Sequence, residues 1–518
     1  MAGRQPTQPV LVGAGPLTAD DVIAVARCGA RIQLAPDAVA AIRHGREIID
    51  ALAGDSEPHY GVSTGFGALA TRHIPPDLRA QLQASLVRSH AAGSGPAVED
   101  EVVRALMLLR VATLATGRTG AREETVQAYA ALLNSGYTPV VHEYGSLGCS
   151  GDLAPLAHCA LVITGEGVVR DASHRTLPAA EALAAAGIAP VRLREKEGLA
   201  LINGTDGMLG MLVLAIADLC ALLKVADITA AMSVEALLGT DAAFAADLQV
   251  LRPHPGQAAA AANLRAMLAG SSIMASHRGP ECTRVQDAYS LRCAPQVAGA
   301  VRDTVNHAAQ VATWELASAI DNPVITPDGR LESNGNFHGA PLGYALDFLA
   351  IGVADLASMS ERRTDRFLDV ARSQGLPAFL ADDPGVDSGY MIAQYTQAAI
   401  VSELKRLAVP ASVDSIPSSA MQEDHVSMGW SAARKLRRSL DGLTRVLAIE
   451  LLTAARGIEL RAPLTPAAGT GAVVAGLRVD AAGPGPDRFL APEIDAAVRY
   501  VADGGAARAA ESAIGPLR

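Results

Sequence analysis

Aromatic side chains are nearly missing: seven Phe, nine Tyr and two Trp make up 3% of 518 residues. Sheet-rich folds draw on aromatic and β-branched residues, so this shortage, beside abundant Ala and Leu, points to helices. Charge is scarce as well, at 19% against 50% hydrophobic residues, with a mean hydropathy of +0.22. Yet no long apolar run has the flanks of a membrane span. The best candidate, MLGMLVLAIADLCALLKVADITAAM, is interrupted by Asp218, Lys224 and Asp227. It reads as a helix surrounded by protein, so no membrane partner is expected. Positive charge is in deficit, with 43 Lys and Arg against 54 Asp and Glu, a net charge of −11 and a pI near 5.6. That excludes nucleic acid as the main partner. Six cysteines show no paired C-x-x-C or Cys/His metal spacing, which fits thiols in a reducing compartment and no metal requirement. The start, MAGRQPTQPVLVGAGPLTADD, has no signal-peptide core, so a cytoplasmic location is expected.

What is present is helical periodicity. It recurs in DLRAQLQASLVRSHAAG, EDEVVRALMLLRVATLATG, ETVQAYAALLNSG, RDTVNHAAQVATWELASAI, PLGYALDFLAIGVADLASMSERRTDRFLDV and SAARKLRRSLDGLTRVLAIELLTAARG. Thr18, followed by Asp20 and Asp21, makes a helix N-terminus. GEGVVRDASHRTL is the best candidate for a small hairpin. No repeat or low-complexity linker divides the chain. The expected fold is mainly α: an N-terminal region, residues 1–200, carries functional loops, and a long helical bundle with C-terminal helices fills 201–518 in one continuous core.

Against the alanine-rich background stand polar, glycine-bearing islands: YGVSTGFG, SLVRSHAAG, GSLGCSGDLAP, INGTDG, RVQDAYSLRC, DNPVI with SNGNFHG, and SSAMQEDHVSMG. Taken singly, each is equally well a capped turn between buried helices. Two enzyme readings fail on context. Gly61-Val62-Ser63-Thr64-Gly65 fits G-x-S-x-G, but GDSEPHY before it is no strand, as a nucleophile elbow requires. A Cys149 nucleophile would want a histidine, and His158, two turns along the following helix, is expected to be a buried, satisfied one.

Cys149-Ser150-Gly151 supports a different chemistry. The Gly151 nitrogen, unhindered by a Cβ, can attack the Cys149 carbonyl carbon in a tight turn. Loss of one water closes a five-membered ring, and loss of the Ser150 hydroxyl as a second water leaves an exocyclic methylene. The product is a methylidene-imidazolone, an electrophile the chain makes from itself. Residue 149 contributes its backbone carbonyl, so Cys149→Ala is expected to keep ring formation and activity, whereas Ser150→Ala abolishes both. The thiol beside such an electrophile must point away, stay buried and protonated, or tune the pocket.

From Tyr60 to Gly429 these islands, in this order, resemble the aromatic amino acid ammonia-lyase family, most of all its histidine-specific members. The resemblance implies a fumarase/aspartase-like helical homotetramer whose active sites take residues from three subunits. It implies a methylidene-imidazolone from Cys149, Ser150 and Gly151, without pyridoxal phosphate or metal. The reaction implied is elimination of ammonia from L-histidine to give trans-urocanate. Tyr60 matches the catalytic tyrosine that removes the β-proton, and a phenol near pKa 10 needs assistance for that. Arg292 matches the clamp on the substrate carboxylate, a task that suits a guanidinium fork. Tyr289, Gln286 and Asn203 match residues around the electrophile and the substrate, and Phe337 matches an aromatic wall. His90 and Glu423 match the pair that reads an imidazole, whose ring nitrogens a phenyl ring lacks. Glu423 is thus expected among both the catalytic and the substrate-binding residues.

The sequence departs from the histidine pattern at Cys149 (usually Ala), Asp206 (usually Gln), Met421 (usually Asn) and Ala340 (often acidic). These positions leave a tyrosine- or phenylalanine-type lyase, or an aminomutase, as alternatives with the same electrophile. An inactive binding homologue is a further alternative, opposed by the presence of Tyr60, Ser150, Gly151, Asn203 and Arg292. A fumarase-type catalytic serine loop is disfavoured because its Gly-Ser-Ser-x-Met-Pro signature is absent.

Overall fold

The apolar stretch that begins at Met208 lies inside the helix Asp206–Ala236, buried on nearly every side over its 31 residues. In the computed structural model, which describes residues 8–13, 15–279, 282 and 285–518, this helix packs against Ala294–Leu316, Ala340–Leu368 and Gly429–Glu459 to form the central bundle. Two of the described helices, Asp206–Ala236 and Ala340–Leu368, are long and apolar enough to cross a membrane, and most of each apolar stretch is buried within the fold. Protein supplies the surroundings that lipid would otherwise provide.

The remaining helices follow the periodicity: Arg79–His90, Asp100–Ala115 and Glu123–Ser135 lie where their patterns place them. Thr18 caps Ala19–Arg27 through a reciprocal capping box with Asp21. Val168–Arg170 and Thr176–Pro178 pair antiparallel as the expected hairpin, with Thr138–Pro139 added at its edge. Val10–Val12 and Ile32–Leu34 pair in parallel, an element too short to show a period in sequence. One buried apolar cluster includes residues from Val12 to Leu517, drawing on both the N-terminal region and the bundle.

Two bundle helices begin at the same end. The N-terminus of Gly429–Glu459 approaches Met208 so closely that a Cβ on Gly429 would sit 2.3 Å from the Met208 sulfur. The first-turn amides of Gly207 and Met208 both donate to one oxygen of Asp152, at 2.9 Å each. A helix N-terminus leaves such amides without partners of its own, and a carboxylate placed there satisfies two of them. Asp152 thereby ties the loop before it to the end of the bundle.

Candidate active site

That loop is Gly145–Gly151. The Gly148 carbonyl accepts from the Gly339 amide and from Ser427 Oγ, both at 2.9 Å, and the Leu147 carbonyl accepts from the Met428 amide at 2.8 Å. Gly151 sits at φ +74°, and a Cβ there would lie 2.0 Å from the Gly204 carbonyl oxygen. Only glycine tolerates both the left-handed backbone and that approach. Gly151 and Gly204 form a parallel bridge in which the Asp152 amide donates to Gly204 at 2.7 Å, so the Gly151 nitrogen is not used there. The neighbouring Asn203 is buried and its carboxamide oxygen has no hydrogen-bond partner. A turn with a compressed glycine, an uncommitted attacking nitrogen and an orphaned amide oxygen beside it fits the self-made ring.

Glu423 reaches this loop from a distant segment. Its Oε1 accepts from Ser150 Oγ at 2.9 Å, and its Oε2 accepts from Ser418 Oγ at 2.7 Å and from Cys149 Sγ at 3.2 Å. Residues 418 and 423 pair as an antiparallel bridge. Between them Ser419, Ala420 and Met421 all adopt positive φ, a costly run for residues with a Cβ. The Cys149 thiol therefore neither points away nor waits for His158. It is buried, donates to Glu423, and is pushed up to about 12 by burial and by that carboxylate. His158 is held down near 4 by burial and by His142, and its Nε2 accepts from the Gly93 amide at 3.1 Å. It is the satisfied histidine expected.

Tyr60 closes the group from a third loop. The Gly67 amide donates to its Oη at 3.1 Å, and Gly67 in turn lies against Ser419. Burial pushes the phenol above its ordinary value, Gly67 opposes this, and the charges of Glu423 and Asp321 push it further up. His90, at the end of Arg79–His90, donates from Nδ1 to the Leu86 carbonyl at 2.9 Å, leaving Nε2 as the acceptor in the neutral ring. Burial lowers its proton affinity, while the charge of Glu423 acts in the other direction. Ser63 of the G-x-S-x-G segment is buried and accepts from the His59 amide at 2.9 Å, a turn contact.

Tyr60, His90, Cys149, Ser150, Gly151, Asn203 and Glu423 thus gather at one end of the bundle. The other expected residues form a second group. Gln286 accepts from Arg292, whose guanidinium lies 4.9 Å from the centre of the Tyr289 ring. Tyr289 is 71% exposed. Among the described residues, no hydrogen bond or ring contact joins this group to Ser150, Tyr60 or Glu423. Arg284, at the head of this segment, lies outside the described residues. Phe337 is half-buried, two residues before the Gly339 amide that contacts Gly148.

Asp206 is buried in an ion pair with Arg110 at 2.8 Å, and Arg110 also donates to the Ala200 and Asn203 carbonyls at 3.0 and 2.9 Å. Sequence reasoning missed Arg110, Ser418 and the Gly67 amide, whose roles arise from contacts between distant segments. Among the described residues, no group of three or more His, Cys, Asp and Glu side chains could hold a metal ion.

The model of the aromatic amino acid lyase family matches residues 17–479. The chain belongs to that family. As a member of it, the protein is an enzyme, a carbon–nitrogen lyase. It is 66% identical to a histidine ammonia-lyase of Streptomyces avermitilis over 98% of this chain and 99% of the relative. Among solved structures it is similar to the histidine ammonia-lyase of Trypanosoma cruzi, at 38% identity and a TM-score of 0.89, covering 98% of this chain and 96% of that one. It is also similar to a tyrosine aminomutase of Streptomyces globisporus, at 37% identity and a TM-score of 0.93, covering 99% and 100%.

Proposed function

We propose that the protein eliminates ammonia from L-histidine to give trans-urocanate, using a methylidene-imidazolone made from Cys149, Ser150 and Gly151. The observation that carries this reading is the hydrogen bond between Ser150 and Glu423 at 2.9 Å. It sets the precursor of the electrophile against a carboxylate able to accept an imidazole N–H. Neutral His90 offers a second acceptor through Nε2, so the pair suits an imidazolium, whose two ring N–H groups both donate, and a phenyl ring could use neither. The 66% identity to a histidine ammonia-lyase supports the same substrate.

Once formed, the ring supplies an electrophilic methylene that makes the substrate amine a better leaving group. The chain's own side chains do the rest. Tyr60, as the phenolate, accepts the β-proton and becomes the neutral phenol, and the Gly67 amide donates to its oxygen, favouring the charged form that acts as base. Arg292 takes the substrate carboxylate through its guanidinium fork, with Gln286 and Tyr289 beside it. Phe337 lines the pocket, and Asn203 offers its unpaired carboxamide oxygen. A homotetramer in which neighbouring subunits complete each site belongs to the same reading, supported by the 71% exposure of Tyr289 beside Arg292. The reading of a soluble, cytoplasmic enzyme with the 1–200 and 201–518 regions sharing one core belongs to the same proposal.

Turnover of L-histidine, L-tyrosine and L-phenylalanine, followed by product absorbance, tests the reading. Urocanate from histidine is expected. Cinnamate or coumarate without urocanate would overturn it, and a β-amino acid product would instead assign an aminomutase, which the likeness to the tyrosine aminomutase keeps in view.

A further inference from the structure

Glu423 is held by three donors, and ring formation removes one of them. Ser150 Oγ, the donor to Oε1, departs as water when the methylene forms. Ser418 Oγ and Cys149 Sγ, the two donors to Oε2, remain. A glutamate on a loop would otherwise turn freely about its last torsion, which is broad and nearly two-fold. We infer that Cys149 and Ser418 are positioning residues: they anchor one oxygen of Glu423, so that the oxygen vacated by Ser150 is presented to the substrate imidazole. This inference rests on the histidine reading above and deepens it.

Three further observations support it. The backbone of this segment is shaped around the contact, since the bridge between Ser418 and Glu423 closes a turn of three consecutive left-handed residues. Such strain persists where surrounding contacts over-determine it. The Cys149 thiol is protonated and therefore a donor, as the contact requires. Finally, Cys149 is buried together with Val426 and Met428, the residues that follow Glu423, so its side chain packs against the segment it is inferred to orient.

The test uses the full-length protein and its Cys149→Ala, Cys149→Ser, Ser418→Ala and Ser418→Thr variants. Intact mass reports loss of two waters, and steady-state kinetics with L-histidine and L-phenylalanine report recognition. All four variants are expected to mature. The two alanine variants lose roughly ten-fold in kcat/KM for histidine, carried mainly by KM, as deletion of a hydrogen bond to a charged group does; for Cys149→Ala this replaces the expectation from sequence that full activity is kept, because the thiol donates to Glu423. The same variants leave any phenylalanine turnover within about two-fold, and the Ser and Thr variants recover most of the loss because a hydroxyl can donate in the same place. Alanine variants that mature fully and keep the parent's kcat/KM for histidine overturn the inference. So does a Cys149→Ala variant that fails to mature, because it would assign the thiol to ring formation. Equal losses on both substrates without rescue also overturn it. A parent enzyme that makes no urocanate defeats the histidine reading itself, and that result is visible before any variant is made.

Discussion

The thiol of Cys149 donates to Glu423 Oε2 across 3.2 Å, linking the residue before Ser150 to the carboxylate proposed to read the substrate ring. On the proposed chemistry, the contact answers how a thiol can sit beside a self-made electrophile. A thiolate attacks such a group and a thiol does not. Burial and the neighbouring carboxylate keep Cys149 protonated through the physiological range.

Glu423→Gln keeps the shape of the side chain and removes its charge. The expected result is a fall of roughly 100-fold or more in kcat/KM for histidine, with no comparable fall for phenylalanine, since an unpaired polar site penalises one substrate only. Kinetics on both amino acids check this, and equal losses would assign Glu423 to the chemistry rather than to recognition.

Tyr60→Phe should mature normally, losing both waters by intact mass, yet lose about 10²–10⁴ in kcat, the usual contribution of a positioned base. Because burial and the Glu423 and Asp321 charges raise the phenol while only Gly67 opposes them, kcat/KM of the parent should climb as pH rises through neutrality. A flat profile from neutral to alkaline pH would argue against Tyr60 as the base.

Gly151→Ala places a Cβ 2.0 Å from the Gly204 oxygen at φ +74°. The left-handed backbone alone costs about 1–2 kcal/mol. The variant should show a lower Tm and retain the mass of both waters. A fully matured Gly151→Ala protein would show that the close approach to Gly204 is dispensable.

Asp152 is fully buried, and burial lifts it from 3.8 to about 7 against the amides of Met208 and Gly207 and the hydroxyl of Ser146. The folded state therefore holds a proton that the unfolded chain has released between those two values. By linkage, its contribution to stability is complete below pH 4 and declines as pH rises toward 7. Denaturant midpoints across that window should fall with pH in the parent and fall less in Asp152→Asn. Parallel curves would remove Asp152 from the account.

The long helices were legible because burial on a bundle imposes a period that sequence carries openly, and Thr18 with Asp21 marks a helix start by local chemistry alone. The polar islands could be picked out for the same reason, as breaks in that period. What sequence hid was pairing across distance. Gly151 meets Gly204, and Ser150 meets Glu423, only after intervening helices have packed. Asp206 shows the limit most clearly: it stands in a functional island, yet Arg110 claims it for the interior. The three-residue strands Val10–Val12 and Ile32–Leu34 carry too few alternations to register.

Tyr289, with most of its surface open to solvent, and Arg292 beside it have a genetic consequence on the shared-site reading. Each chain then donates its Tyr60 group to one pocket and its Arg292 group to another. Two inactive alleles, Tyr60→Phe and Arg292→Ala, would complement when co-expressed, because some mixed assemblies contain a pocket with neither lesion. Activity would return from two proteins that have none alone.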